Sequence, residues 1–119
     1  MGIRDRLKGL SASTDDLERD RLTDRFADGA HGQVDIATMA LRTRVCVAGE
    51  VSGIRVVPRA GSPSLEITVD DGSARLVVVF TGRRRIAGIE PGRALVLEGV
   101  AREAEGRRVM LNPAYTLLR

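Results

Sequence analysis

Arginine carries most of the chemistry this sequence has to offer. The chain holds 18 arginines beside a single lysine, Lys8. A guanidinium is planar, stays charged at any physiological pH, grips phosphate through a two-pronged fork and stacks on flat rings. The charge is divided unevenly. Residues 1–40 carry six basic and eight acidic side chains, a net of −2, whereas residues 41–119 carry 13 arginines and eight acids, a net of +5. A basic rear portion suits a polyanionic partner. A solvated surface rich in arginine is the alternative, since +5 is modest for a nucleic-acid footprint.

The other reactive side chains do not assemble into a catalytic set. His31 stands alone in a glycine-rich stretch, and Cys46 is the only cysteine. One His and one Cys cannot make a zinc site, and no internal disulfide can form. No phosphate-cradling glycine loop of the strand–helix kind is present. Asp70-Asp71 precedes Gly72, which reads as turn chemistry rather than a metal pair. The expectation is a protein that is not an enzyme and uses no metal or cofactor.

A length of 119 residues suits one core, and 43% apolar with 29% charged residues excludes a disordered or collagen-like chain. No apolar run is long enough to span a membrane. The opening Met1-Gly2-Ile3-Arg4-Asp5-Arg6 is too charged for a secretory signal, so a cytoplasmic location is expected.

Two kinds of element must position the arginines. In residues 1–33, Ile3, Leu7 and Leu10 fall at helical spacing. Gly9 and Ser11-Ala12-Ser13 interrupt them, and Ser13 with Asp16 resembles a capping box that starts a second helix over residues 14–27. Leu17, Leu22 and Phe26 are its only large apolar groups, and Asp28-Gly29-Ala30-His31-Gly32 ends it. So narrow a stripe reads as a helix for docking or self-association, or as a tail that is helical part of the time.

From residue 44 the period becomes two. A long first strand carries Gly49 and Gly53, which mark a bulge or bend. A loop at residues 58–63 leads to a strand over residues 65–69, then Asp71-Gly72, a strong hairpin signal. A third strand covers residues 75–80. A connector holding Arg83-Arg84-Arg85 has room for a turn of helix. A fourth strand covers residues 93–102, and Glu105-Gly106 turns into a fifth over residues 107–118, bent at Asn112-Pro113. Five strands ordered hairpin, connector, hairpin, with a long bent first strand able to pair twice, describe a closed five-stranded Greek-key barrel, the OB-fold. An SH3-like barrel or a small open sandwich fits the long first strand and the connector less well. The expected organisation is all-β, with a charged helical segment at 1–33 followed by the barrel at 34–119.

Particular motifs bear on this. Val45-x-Val47-x-Gly49-x-Val51, Leu65-x-Ile67-x-Val69-Asp70-Asp71-Gly72-Ser73, Leu76-Val77-Val78-Val79-Phe80 and Pro91-Gly92-x-x-Leu95-x-Leu97-x-Gly99 resemble the anticodon-binding-type OB-fold nucleic-acid-binding family. That family is close to the wedge domains of fork-remodelling helicases and the anticodon domains of some aminoacyl-tRNA synthetases. The whole chain resembles small stand-alone actinobacterial OB-fold proteins. The resemblance covers about residues 34–118.

In OB-folds the ligand crosses strands 2 and 3 between the loops joining strands 1–2 and 4–5. On this chain those loops fall at about residues 57–64 and 103–108. Arg55, Arg59, Arg75, Arg102, Arg107 and Arg108 then form a candidate groove for phosphates, driven by counterion release. Arg83, Arg84 and Arg85 form either a clamp at the barrel's end or a solvated connector.

The outward positions of strands 2 and 3 are Glu66, Thr68, Asp70, Arg75, Val77 and Val79, with no aromatic ring on which a base could stack. Glu66 and Asp70 are expected to repel phosphate. Phe80 reads as core, Tyr115 as a rim or core group, and Cys46 as a small buried apolar residue. The expected function is weak, salt-sensitive and sequence-tolerant binding of single-stranded DNA or RNA. The alternative is a protein-interaction adaptor whose N-terminal helix binds a partner or dimerises. A third reading is a part supplied in trans to a larger enzyme's wedge or anticodon-reading assembly.

Overall fold

A computed structural model describes residues 3–27, 29, 31–59 and 61–119; the side chains of residues 3–13 and of Arg59 lie outside that description. The element that organises it is β1, Arg44–Arg59. Its sixteen residues are too many for one partner. The first half, through Glu50, pairs antiparallel with β4 (Ala94–Ala104), and the second half, from Glu50 onward, with β2 (Ser62–Asp70).

The two glycines of β1 do different work at this handover. A Cβ on Gly49 would run into the Val69 side chain and the Asp70 backbone, so its role is close approach. Gly53 has open space around it and follows the irregularity in register between Val51 and Gly53.

β3 (Arg75–Thr81) pairs antiparallel with β2 and parallel with β5 (Arg107–Leu111), and β5 returns to β4. The order β1-β2-β3-β5-β4 therefore closes on itself through β1–β4. The bent final strand expected over residues 107–118 is divided at Asn112, whose backbone is left-handed (φ 48°). Beyond it β6, Ala114–Leu117, pairs along the first half of β4.

The loop expected at residues 58–63 is shorter. Pro58 pairs with Pro63 and Arg59 with Ser62, so the β1–β2 hairpin arm extends almost to its tip.

Alternate residues of the strands turn inward, as period-two patterning requires. Val47, Val51, Leu65, Ile67, Val69, Leu76, Val78, Phe80, Leu95, Leu97 and Met110 form the core. Ile36 and Met39, beside a turn of 3-10 helix at Ile36–Thr38, and Ile86 and Ile89, from the β3–β4 connector, complete it. That connector forms turns and no helix. Phe80 is a core residue, and Tyr115 meets it edge-on at 5.8 Å from the rim.

The Asp70-Asp71-Gly72 turn is held by its own carboxylates. The Gly72 amide donates to Asp70 Oδ1 at 2.8 Å. The Ser73 and Ala74 amides donate to Asp71 Oδ1, and the Ile36 amide donates to Asp71 Oδ2 at 2.9 Å. One buried carboxylate thus ties the segment leading into the barrel to the β2–β3 hairpin.

A single helix, α1 (Ile3–Arg25), precedes the barrel. The break expected at Gly9 and Ser11-Ala12-Ser13 does not occur. One glycine in a helix costs only about 1 kcal/mol, and no proline is there to stop it. The helix docks by its last turns: Leu22 and Phe26 are buried on Ala48, Ala94 and Val96, small outward residues of β1 and β4. Arg21 and Arg25 reach Glu50 of β1. Arg19 donates to the Gly72 carbonyl at 2.8 Å.

Candidate nucleic-acid interface

The outer surface of β2, β3 and β5 is where the arginine-bearing strands meet. Because side chains alternate across the pleat, the residues between core positions point outward here. Val77 and Val79 of β3 and Val109 of β5 make a small apolar floor, with Ala104 at its margin. Register places Glu66 beside Val79, Thr68 beside Val77, and Arg102 beside Val109. Glu66, Arg102, Glu105 and Arg107 rim the floor and complete a concavity of about 190 Å³.

Glu66 is buried, and its charge is met by two guanidiniums. Arg55, its cross-strand partner on β1, places Nε 3.1 Å and Nη2 2.9 Å from Oε1. Arg107 approaches the same oxygen at 3.8 Å. To do so it reaches from β5 past β3 to β2. Glu105 lies 4.0 Å from Arg107 and offsets it in turn, so the carboxylate expected to repel phosphate sits inside a cluster that only Arg102 brings to a net charge of +1.

Sequence reasoning missed this pairing. The signal lay in the hairpin register, which sets Arg55 opposite Glu66.

The structure separates the other candidate arginines. Arg102 and Arg107 line the concavity, Arg55 stands on the same surface paired with Glu66, and Arg102 has no acidic partner among the described residues. Arg75 shares the outward phase but stands at the hairpin end. It meets Asp70 at 3.4 Å and lines a hollow with Asp15, Glu18, Arg19 and Leu22 of α1. Its expected place between the loops is corrected accordingly.

Arg108 follows Arg107 by one residue, so the pleat turns it away. It donates to the Ala37 carbonyl at 3.2 Å, and is thereby withdrawn from the groove. The side chain of Arg59 lies outside the described residues. Arg83, Arg84 and Arg85 are exposed on the β3–β4 connector and make no ion pair with any described acid.

No described side chain of α1 lines this concavity. The helix lies on the β1–β4 side, over Ala48, Ala94 and Val96. Cys46 is half-buried beside it, and its thiol donates to the His31 carbonyl at 3.5 Å. Burial first, and the negative charge of Glu98 second, push that thiol's pKa up.

The chain matches no family model and no curated protein. Among solved structures it is similar to an OB domain from Thermoplasma acidophilum determined by solution NMR, at 16% identity and a TM-score of 0.55, covering 72% of this chain and 86% of that one. That likeness concerns the fold, and it agrees with the ring order and the double pairing of β1. The chain folds as an all-β OB barrel preceded by one α-helix.

Proposed function

We propose that this protein is a non-enzymatic nucleic-acid-binding module of the anticodon-binding OB type, taking single-stranded DNA or RNA across β2, β3 and β5 in the cytoplasm. The observation that carries the reading is a valine-floored concavity rimmed by Arg102 and Arg107, with Arg55 paired to the Glu66 of its rim and no described side chain of α1 in its lining. Phosphates would follow the arginine rim, and displaced counterions would drive the association. With valines where stacking rings would otherwise stand, each base contributes less than the roughly 1–3 kcal/mol of an aromatic platform. Binding is therefore weak, and most positions along the strand are read loosely.

Fluorescence anisotropy with short single-stranded DNA and RNA over a salt series tests this. Neutralising about four phosphates corresponds to a log–log salt slope of about −3. Arg102→Ala combined with Arg107→Ala should weaken binding and flatten that slope. Unchanged affinity in the double variant would remove the groove from consideration.

A second reading, a protein-interaction adaptor, is favoured by one observation. Leu17 on α1 is 67% exposed, ahead of the two residues that dock the helix. Light scattering of the full chain beside Leu17→Asp decides it: a protein that is monomeric in both forms does not self-associate through this face.

A further inference from the structure

We infer that Glu66 is a base-selecting residue, favouring a pyrimidine that carries an amino group at C4 over one that carries a carbonyl there. The inference rests on the single-strand reading above and narrows it at one position. Three observations carry it.

Glu66 lies at the edge of the valine floor, so a base set on that floor would bring its edge toward the carboxylate. Both arginines address the same oxygen, Oε1. Oε2 receives no hydrogen bond from any described residue.

An ionised carboxylate accepts and never donates. The N4 amino group of cytosine offers it a donor, whereas O4 of uracil or thymine at the same place offers a second acceptor and is repelled. The arginine pair has a further consequence. It holds Glu66 in place and offsets its charge, so the strand's phosphates are not driven off while the base is read.

The test uses the full chain with two deoxyoligonucleotides of equal length, oligo-dC and oligo-dU, which differ in the group presented at C4. Anisotropy at low salt should show oligo-dC bound about tenfold more tightly, the size of one charge-assisted hydrogen bond at the low end of its range. Glu66→Gln should bring the ratio near one while raising affinity for oligo-dU, because a negative charge is gone. Glu66→Asp, which keeps the charge and draws the oxygen back by one methylene, should lower the ratio and leave the salt slope unchanged.

Equal binding of both oligonucleotides by the unmutated chain overturns the inference and leaves the single-strand reading standing. So does a tenfold ratio that persists in folded Glu66→Gln. Absence of binding to either oligonucleotide overturns the single-strand reading itself, and the inference with it. The comparison on the unmutated chain does not depend on how any variant folds.

Discussion

Arg55 and Glu66 sit directly across from each other in the β1–β2 register, and both the Nε and the Nη2 of the guanidinium address one carboxylate oxygen, at 3.1 and 2.9 Å. The arginine is mostly exposed, but the carboxylate is only 9% exposed. The pair is therefore asymmetric: removing the arginine leaves a nearly buried charge with only Arg107, 3.8 Å away, and removing the acid frees a solvated one. Arg55→Ala should destabilise the fold by about 1–2 kcal/mol, more than an exposed ion pair is worth. Glu66→Gln should be milder. A urea-denaturation double-mutant cycle checks this, with a coupling of about 1 kcal/mol expected.

Gly72 joins the hairpin to the helix. Its φ is 90°, and a Cβ there would lie 2.7 Å from the Arg19 carbonyl oxygen and 2.7 Å from the Thr23 amide nitrogen. Gly106 has a similar φ of 74° with open space around it. Gly106→Ala should therefore cost only backbone strain, about 1 kcal/mol. Gly72→Ala should cost about 2–4 kcal/mol and loosen α1. Thermal melts of the two variants, with the exposure of Phe26 followed by hydrogen exchange in α1, separate strain from collision.

Asp71 is the acceptor for the backbone amides of Ile36, Ser73 and Ala74 and for the Ser73 hydroxyl. Asp71→Ala leaves the buried Ile36 amide with no acceptor and loosens the partly exposed turn at Ser73 and Ala74, and should lower stability by about 2 kcal/mol. Asp71→Asn keeps one acceptor oxygen and should recover about half of that loss. Chemical denaturation measures both.

Cys46 should alkylate slowly. Its thiol titrates above the ordinary value because burial disfavours the thiolate. A raised folded-state pKa means that the associated stability is intact below the unfolded-state value and falls as pH rises through the folded one. Between those two values the folded chain should react with iodoacetamide more slowly than the urea-unfolded chain, measured by mass spectrometry. Equal rates would contradict the assignment.

Much of the barrel was legible in advance because its signals are local. The alternation of Val45, Val47 and Val51, the Asp71-Gly72 turn and the out-of-phase placing of Val77 and Val79 all depend on residues within a few positions of one another. α1 was harder. Gly9 and the serines imitate a stop, yet the backbone continues through them from Ile3 to Arg25. Of the candidate arginines, Arg55, Arg102 and Arg107 share one surface, whereas Arg75 and Arg108 lie elsewhere.

What the amino-acid order settled by itself was most of the strands, their inward faces and the hairpins, since a pleat of period two and a left-handed glycine turn are short-range constraints. Only the folded barrel decided which distant groups share a space. Ring closure brings β5 beside β3 and so carries Arg107 to Glu66, 41 positions away in the chain. The same closure draws Ile36, Met39, Ile86 and Ile89, from stretches without periodicity, into the core. The physical reason is range: alternation is written between neighbours, whereas the meeting of charges is set by strand order and register, which come into being only when the sheet closes.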